Sequence, residues 1–223
     1  MFRINLQLSK FNGLRLVGVH LMNDQYLLIQ MEHLKEAWLR GKETLVQTLP
    51  ARLEGDCFYF QAFGETCELC QDAITLGGMV ATGPEGILIS LYARQVREEP
   101  TKMHPLQSFK ELPNSGPYQG AFVARSEQVL VPHVLSIQRE KQGIAQHFSG
   151  VVNTDAPSGD FSFTLYPLPR IPLYYIFYLP DEEFPAAVTC LFAADAASHL
   201  SVDGLADVAE YTGKKIISLV EGS

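Results

Sequence analysis

Apolar and polar positions alternate at the start of the chain: Ile4, Leu6 and Leu8 are separated by Asn5 and Gln7. After Asn12–Gly13 the alternation resumes at Leu14, Leu16 and Val19. Asn-Gly supplies the positive φ angles of a tight hairpin turn, so this pattern predicts two paired strands. From Asp24 the period changes. Leu27, Met31, Leu34, Trp38 and Leu45 recur at helical spacing, with Asn23 as a potential cap and Gly41 ending or interrupting the helix. "CFYFQAF" (57–63) and "TCELCQDAITL" (66–76) flank Gly64–Glu65 and predict a second hairpin. "TGPEGILISLYARQV" predicts a helix, with Pro84 near its start and Leu88, Leu91 and Tyr92 on one side.

Residues 98–120 form a long connection rich in Pro and Gly. Ser126 opens a predicted helix bearing Leu130, Val134, Ile137, Ile144 and Phe148, and 149–160 is turn-forming throughout. Phe161, Phe163 and Leu165 alternate with Ser162, Thr164 and Tyr166, as in a half-buried strand. Leu173–Leu179 is apolar on both faces, as a central strand covered on both sides would be, and Val188–Phe192 is a third strand. Pro167, Pro169 and Pro172 limit the pairing, because proline cannot donate to a ladder. Leu205, Val208, Thr212, Ile216 and Leu219 mark a terminal helix over the sheet. Hairpins and helices without regular β–α alternation indicate an α+β fold, with a mixed, mainly antiparallel sheet and flanking helices. The expected division is an N-terminal hairpin and helix, 1–54, packed on a main α+β domain, 55–223.

Composition narrows the functional classes. The 223 residues are 47% hydrophobic and 19% charged, which suits a globular protein with a real core. With 17 basic against 25 acidic residues the net charge is −8, which argues against nucleic acid as a partner. The longest uncharged apolar run, Ile171–Pro180, is about half of a bilayer span, so no membrane is expected. The N-terminus lacks the continuous apolar core of an export signal. Four cysteines in that setting predict a cytoplasmic protein with reduced thiols.

The segment "PLPRIPLYYIFYLPDEEFPAAVTCLF" (167–192), with "ILISLYARQV" and "LQSFKELPNSGPY" upstream at fitting spacing, resembles the prokaryotic family catalogued as domain of unknown function 3786. The resemblance covers residues from about 55 to 220. It carries no assigned activity. Family members tend to accompany corrinoid and iron–sulfur proteins of anaerobic methyl-group metabolism, so the resemblance implies an accessory role.

Candidate chemistry is sparse. Cys67-x-x-Cys70 has the spacing of a metal knuckle or redox pair, and Cys57 and Cys190 could complete four thiolate ligands. Against that, residues three apart on a strand point to opposite faces, so free thiols, no metal and no cofactor are expected. His20, His33, His104, His133, His147 and His199 show no zincin spacing, and no nucleophile elbow or phosphate loop is present. If a ligand exists, the loop 103–118 is expected to hold it through His104, Lys110, Glu111 and Tyr118, pinned by Leu106, Phe109 and Leu112. Asp181, Glu182 and Glu183 would face it from a turn anchored by an inward-packed Phe184. The overall expectation is an accessory or binding protein without catalytic machinery, acting on a small molecule or a protein partner. The alternatives are an enzyme or redox protein using the cysteines or the acidic loop, and an interaction module presenting Tyr174, Phe177 and Tyr178.

Overall fold

A run as apolar as Ile171–Leu179 can be a strand only where both its faces are covered, and the chain is organised around meeting that demand. In a computed structural model, which describes residues 15–154 and 159–222 and side chains from residue 25 onward, two helices come first: α1 (Arg15–Trp38) and α2 (Lys42–Thr48). A meander follows, β1 (Arg52–Glu54), β2 (Cys57–Ala62), β3 (Glu65–Leu69), β4 (Ile74–Leu76) and β5 (Met79–Val80), paired antiparallel in that order. Next come α3 (Pro84–Gln95), β6 (Gln107–Ser108), α4 (Gln119–Phe122), α5 (Val134–His147) and β7 (Val151–Val152). The chain continues through β8 (Phe161–Leu168), β9 (Ile171–Tyr178), β10 (Ala187–Phe192), α6 (Ala196–His199) and α7 (Val202–Glu221). The second sheet is ordered β6-β10-β9-β8-β7, so β9 is central as its pattern demands. The fold is α+β.

One face of the second sheet carries Phe161, Phe163 and Leu165, which register with Phe177, Tyr175 and Leu173 of β9, and beyond them Val188, Cys190 and Phe192. All are buried: β8 lies against α5, and β10 against the turns over 109–111 and 123–133, with Phe192 packed on Phe109 and Phe122. The Tyr175 hydroxyl donates to the Ala209 carbonyl of α7 at 3.5 Å. On the other face the Ser162 and Tyr174 hydroxyls meet at 3.2 Å, and Asn153 bonds both Ser162 and Thr164. These polar groups are satisfied by one another, which makes their burial tolerable. Phe177 therefore faces the core, not solvent. Of the three rings suggested as a partner surface, only Tyr178 is exposed.

Two arginines tie the helices to the sheets. Arg40 donates to the carbonyls of Ala93, Arg94 and Val96 at 2.7, 3.1 and 2.6 Å, satisfying the C-terminal end of α3. Arg170, between Pro169 and Pro172, donates from Nε to Thr48 O at 2.9 Å and from its two Nη atoms to Glu99 O and Gln47 O at 3.0 Å. It thus closes the C-terminus of α2 with a cation, where the helix dipole favours one. Charge-assisted bonds contribute about 1.5–3 kcal/mol each before screening. Arg170→Ala should lower unfolding free energy by about 2–3 kcal/mol in a urea titration, and a loss within error of zero would remove Arg170 from this role.

Three departures from the expected elements have clear causes. Residues 15–19 are helical, not the second strand of a hairpin; the first strand, 4–8, and the Asn12–Gly13 turn lie outside the described residues. Leu16 and Val19 also satisfy a helical stripe, and extending an existing helix needs no new nucleus. Gly41, at φ 85°, does interrupt the helix, separating α1 from α2. The helix expected from Ser126 begins instead as irregular turns over 123–133 and becomes α5 only at Val134, because Pro132 cannot donate within a helix.

His33, His147 and His199 are held below the usual imidazole range, in each case chiefly by burial. Arg94, Lys215 and Arg170 respectively add to that effect, while the carboxylates Glu36, Glu65 and Asp195 oppose it. The unfolded chain therefore binds more protons below about pH 6.5, and stability should fall as pH drops through that value. Glu127, raised by burial, acts in the opposite sense at lower pH. The histidine share is isolated by comparing melting temperatures of the parent and His199→Leu from about pH 7.5 to 5.5. The parent should lose more than the variant; parallel curves would exclude His199.

Candidate sulfur site in the meander

Strand phase decides which cysteines can meet. In β2, Phe58, Phe60 and Ala62 face the core, leaving Cys57 and Tyr59 on the outer side; in β3, Cys67 and Leu69 point inward and Glu68 outward. Phe58 registers with Leu69, so the next facing pair is Cys57 and Cys70. Their Cα atoms are 4.4 Å apart and their sulfurs are bonded at 2.00 Å. The expectation of four free thiols is corrected here. Phase does separate Cys67 from Cys70, but it also delivers Cys70 to Cys57 across the hairpin. Cys67 and Cys190 remain free and buried. Burial pushes both thiols well above their usual range, with the Glu127 charge adding to the effect at Cys190. The alternative four-thiolate cluster of Cys57, Cys67, Cys70 and Cys190 is not assembled, because Cys67 faces the core and Cys190 belongs to the second sheet.

The bonded pair has company. Glu68 Oε1 lies 3.8 Å from Cys70 Sγ. The Tyr59 hydroxyl donates to the same oxygen at 2.6 Å, and Thr75 Oγ1 donates to Oε2 at 3.4 Å. That bond to Glu68 pushes the Tyr59 hydroxyl above its usual range. Cys57, Cys70 and Glu68 are each half-buried, and one ligand atom from each falls within 4.8 Å of the others. The two cysteines border a cleft of about 1100 Å³ between the meander and α1, lined by Met31, Glu32, Lys35, Trp38 and Leu39 on one side and Asp56, Gln71 and Asp72 on the other. Trp38 reaches this cleft while packing edge-on against Phe58, with ring centroids 5.7 Å apart.

The residues expected to hold a ligand are dispersed. His104 borders a hollow of about 520 Å³ with Leu106, Val151, Val152, Asn153, Thr154 and Tyr174. Tyr118 lies over a different hollow, with Arg125, Asp203, Asp207 and Glu210. Lys110 is exposed, and Glu111 accepts from Ser108 N at 2.7 Å and Ser108 Oγ at 2.6 Å in a capping box. Asp181 accepts the N–H groups of Glu183 and Phe184 at 2.8 and 2.7 Å, an Asx turn, and these bonds hold its carboxyl below the usual range. Glu182 and Glu183 face solvent. Phe184 is 66% exposed, so it does not anchor the turn as expected; the two bonds to Asp181 do. The loop itself is pinned by Phe109 and Leu112, both buried.

Two antiparallel sheets, with helices on their faces and a cleft bordered by a disulfide, define an α+β protein. The chain belongs to the family described as domain of unknown function (DUF3786), whose model matches residues 42–215. The match begins at α2, earlier than the resemblance reached, and so takes in the whole meander. No curated protein and no solved structure matches the chain. No described helix is long and apolar enough to cross a membrane.

Proposed function

We propose that the chain is an accessory protein that exchanges electrons with a partner's thiols through Cys57 and Cys70. The observation that carries this is the placement of the pair: half-buried sulfurs beside a fixed carboxylate on the wall of a wide cleft. The chemistry balances as an exchange. A partner dithiol loses two electrons and two protons and becomes a disulfide, while Cys57–Cys70 gains both and becomes two thiols. In the reverse direction the Cys57 thiolate attacks a partner disulfide and forms a mixed disulfide. Cys70 then attacks Cys57 Sγ, releasing the partner's second thiolate, with Glu68 positioned to take the Cys70 proton.

Opening the bond is compatible with the fold. A loop this short gains about 3 kcal/mol from closure in the chain-entropy account, and the β2–β3 ladder already holds the same ends together. Phe58, Phe60 and Leu69 are buried on the opposite face of the hairpin from the sulfurs, so the packing that holds it does not pass through the bond. Leu28 and Met31 on α1 and Leu39 just beyond it are exposed, and the latter two line the cleft beside Glu32, Lys35, Asp56 and Asp72, a mixture of apolar and charged groups that suits a protein partner. On this reading the partner is a protein of the corrinoid and iron–sulfur kind in a reducing compartment, where a cycling pair is at home and a static disulfide is not. Thiol trapping after incubation with excess dithiol tests the reading. Cys57 and Cys70 should become alkylatable while circular dichroism is unchanged. A pair that reduces only under denaturing conditions is structural, and the proposal then fails.

A further inference from the structure

We infer that the reduced pair, together with Glu68, holds a divalent thiophilic cation such as Zn²⁺, so that the site alternates between a disulfide and a metal-bound dithiolate. The inference rests on the exchange reading above, because only the opened disulfide offers two sulfur ligands.

The donor set is right in kind and nearly right in spacing. Zinc is bound tetrahedrally, with Zn–S near 2.3 Å and Zn–O near 2.0–2.2 Å, so neighbouring sulfur and oxygen ligands stand roughly 3.5 Å apart. Glu68 Oε1 already stands 3.8 Å from Cys70 Sγ. The ligand atoms of Cys57, Cys70 and Glu68 lie within 4.8 Å of one another while the sulfurs are still bonded. Breaking that bond lets rotation about the cysteine side chains part the sulfurs towards a tetrahedral edge. The carboxylate is oriented independently of any metal, by the Tyr59 hydroxyl on Oε1 and the Thr75 hydroxyl on Oε2. Hydrogen-bonded support of this kind fixes ligand direction in metal sites. Three protein ligands leave a fourth position facing the cleft, open to water or to a partner's thiolate.

Both half-steps balance. Two thiols bind one Zn²⁺ and release two protons. A disulfide of the partner oxidises the dithiolate: two electrons pass to it, two partner thiolates leave, Cys57–Cys70 re-forms and Zn²⁺ is freed. Metal binding thus competes with oxidation for the same sulfur electron pairs. Bound zinc should shield the pair from disulfides until it is withdrawn.

The test uses the full chain, reduced and metal-free, with thiols counted before addition of Zn²⁺ or Co²⁺. One cobalt ion per chain is expected, with thiolate-to-metal charge-transfer absorption and the intense visible bands of tetrahedral cobalt, all displaced by zinc and lost on reoxidation. Cys57→Ser should abolish the charge-transfer signal. Tyr59→Phe, which leaves every ligand in place, should weaken zinc affinity by about 10-fold, the usual range for lost second-layer support. A folded chain with both thiols free that binds no stoichiometric metal overturns this inference and leaves the exchange reading standing. Cobalt bound without thiolate absorption, or unaffected by Cys57→Ser, overturns it equally. Failure of the thiols to appear under excess dithiol defeats the exchange reading itself.

Discussion

Phe177→Ala should destabilise the chain by about 3–5 kcal/mol, the range for emptying a buried aromatic position. Phe177 is fully buried on the central strand, one residue from its C-terminal end. Its ring stacks on Phe161 at 4.6 Å and tilts against Phe163 at 4.9 Å, and Val188 registers opposite on the other neighbouring strand. Both flanking strands are fixed by the ladder, so the surroundings cannot collapse into the space left behind. That places the cost towards the upper end of the range. Guanidinium denaturation should show a lower midpoint with an unchanged slope. A loss below about 1 kcal/mol would mean that β9 is not the core of the second sheet.

Serine at either cysteine should abolish thiol–disulfide exchange outright, but the two variants should fail differently. Cys70→Ser leaves Cys57 able to attack and removes the group that resolves the mixed disulfide, so an adduct at Cys57 should accumulate with a model disulfide peptide. Cys57→Ser should form no such adduct, because in the proposed order Cys57 is the attacking sulfur and Cys70 only resolves. Mass spectrometry of the unreduced products separates the cases. Equal adducts from both variants would contradict the assigned order, and exchange that survives in both would place the chemistry elsewhere. Neither variant should lose more than about 3 kcal/mol of stability, since the ladder and the buried face of the hairpin remain.

The second sheet was legible because its signals are local. Alternation over 161–166, apolarity on both faces over 173–179 and the shorter run at 188–192 each report burial directly, and burial decides strand order. The stretch from Leu16 misled because Leu16 and Val19, three residues apart, also fit a helical stripe, and the longer helix downstream settles the contest. The sulfur pair was half legible. Cysteines three apart draw attention as a motif, yet on a strand that spacing separates them. Counting outward from the Phe63–Gly64 turn instead brings Cys57 against Cys70, because each lies five residues beyond the turn-flanking pair, Ala62 and Glu65. Glu68 gave no signal of its own. A carboxylate on an outward-facing strand position is ordinarily just solvated, and only the fold brings Tyr59, Thr75 and Cys70 around it. The ligand loop was over-read for the complementary reason. His104, Glu111 and Tyr118 are near in sequence, but irregular chain between them sends His104 and Tyr118 to different hollows and uses Glu111 for a local cap.

The central claim is that Cys57–Cys70 cycles while the chain stays folded, and Trp38 offers a direct view of it. It is the sole tryptophan of the sequence, and it lines the same cleft as the disulfide, a known quencher of indole emission. Emission should be followed in thiol–disulfide buffers of graded potential. The expected result is a single reversible two-electron transition, tenfold in the ratio of forms per about 30 mV, with a midpoint above about −300 mV and unchanged far-ultraviolet circular dichroism. A midpoint far below that value, or one reached only as the chain unfolds, would make the bond structural and contradict the account.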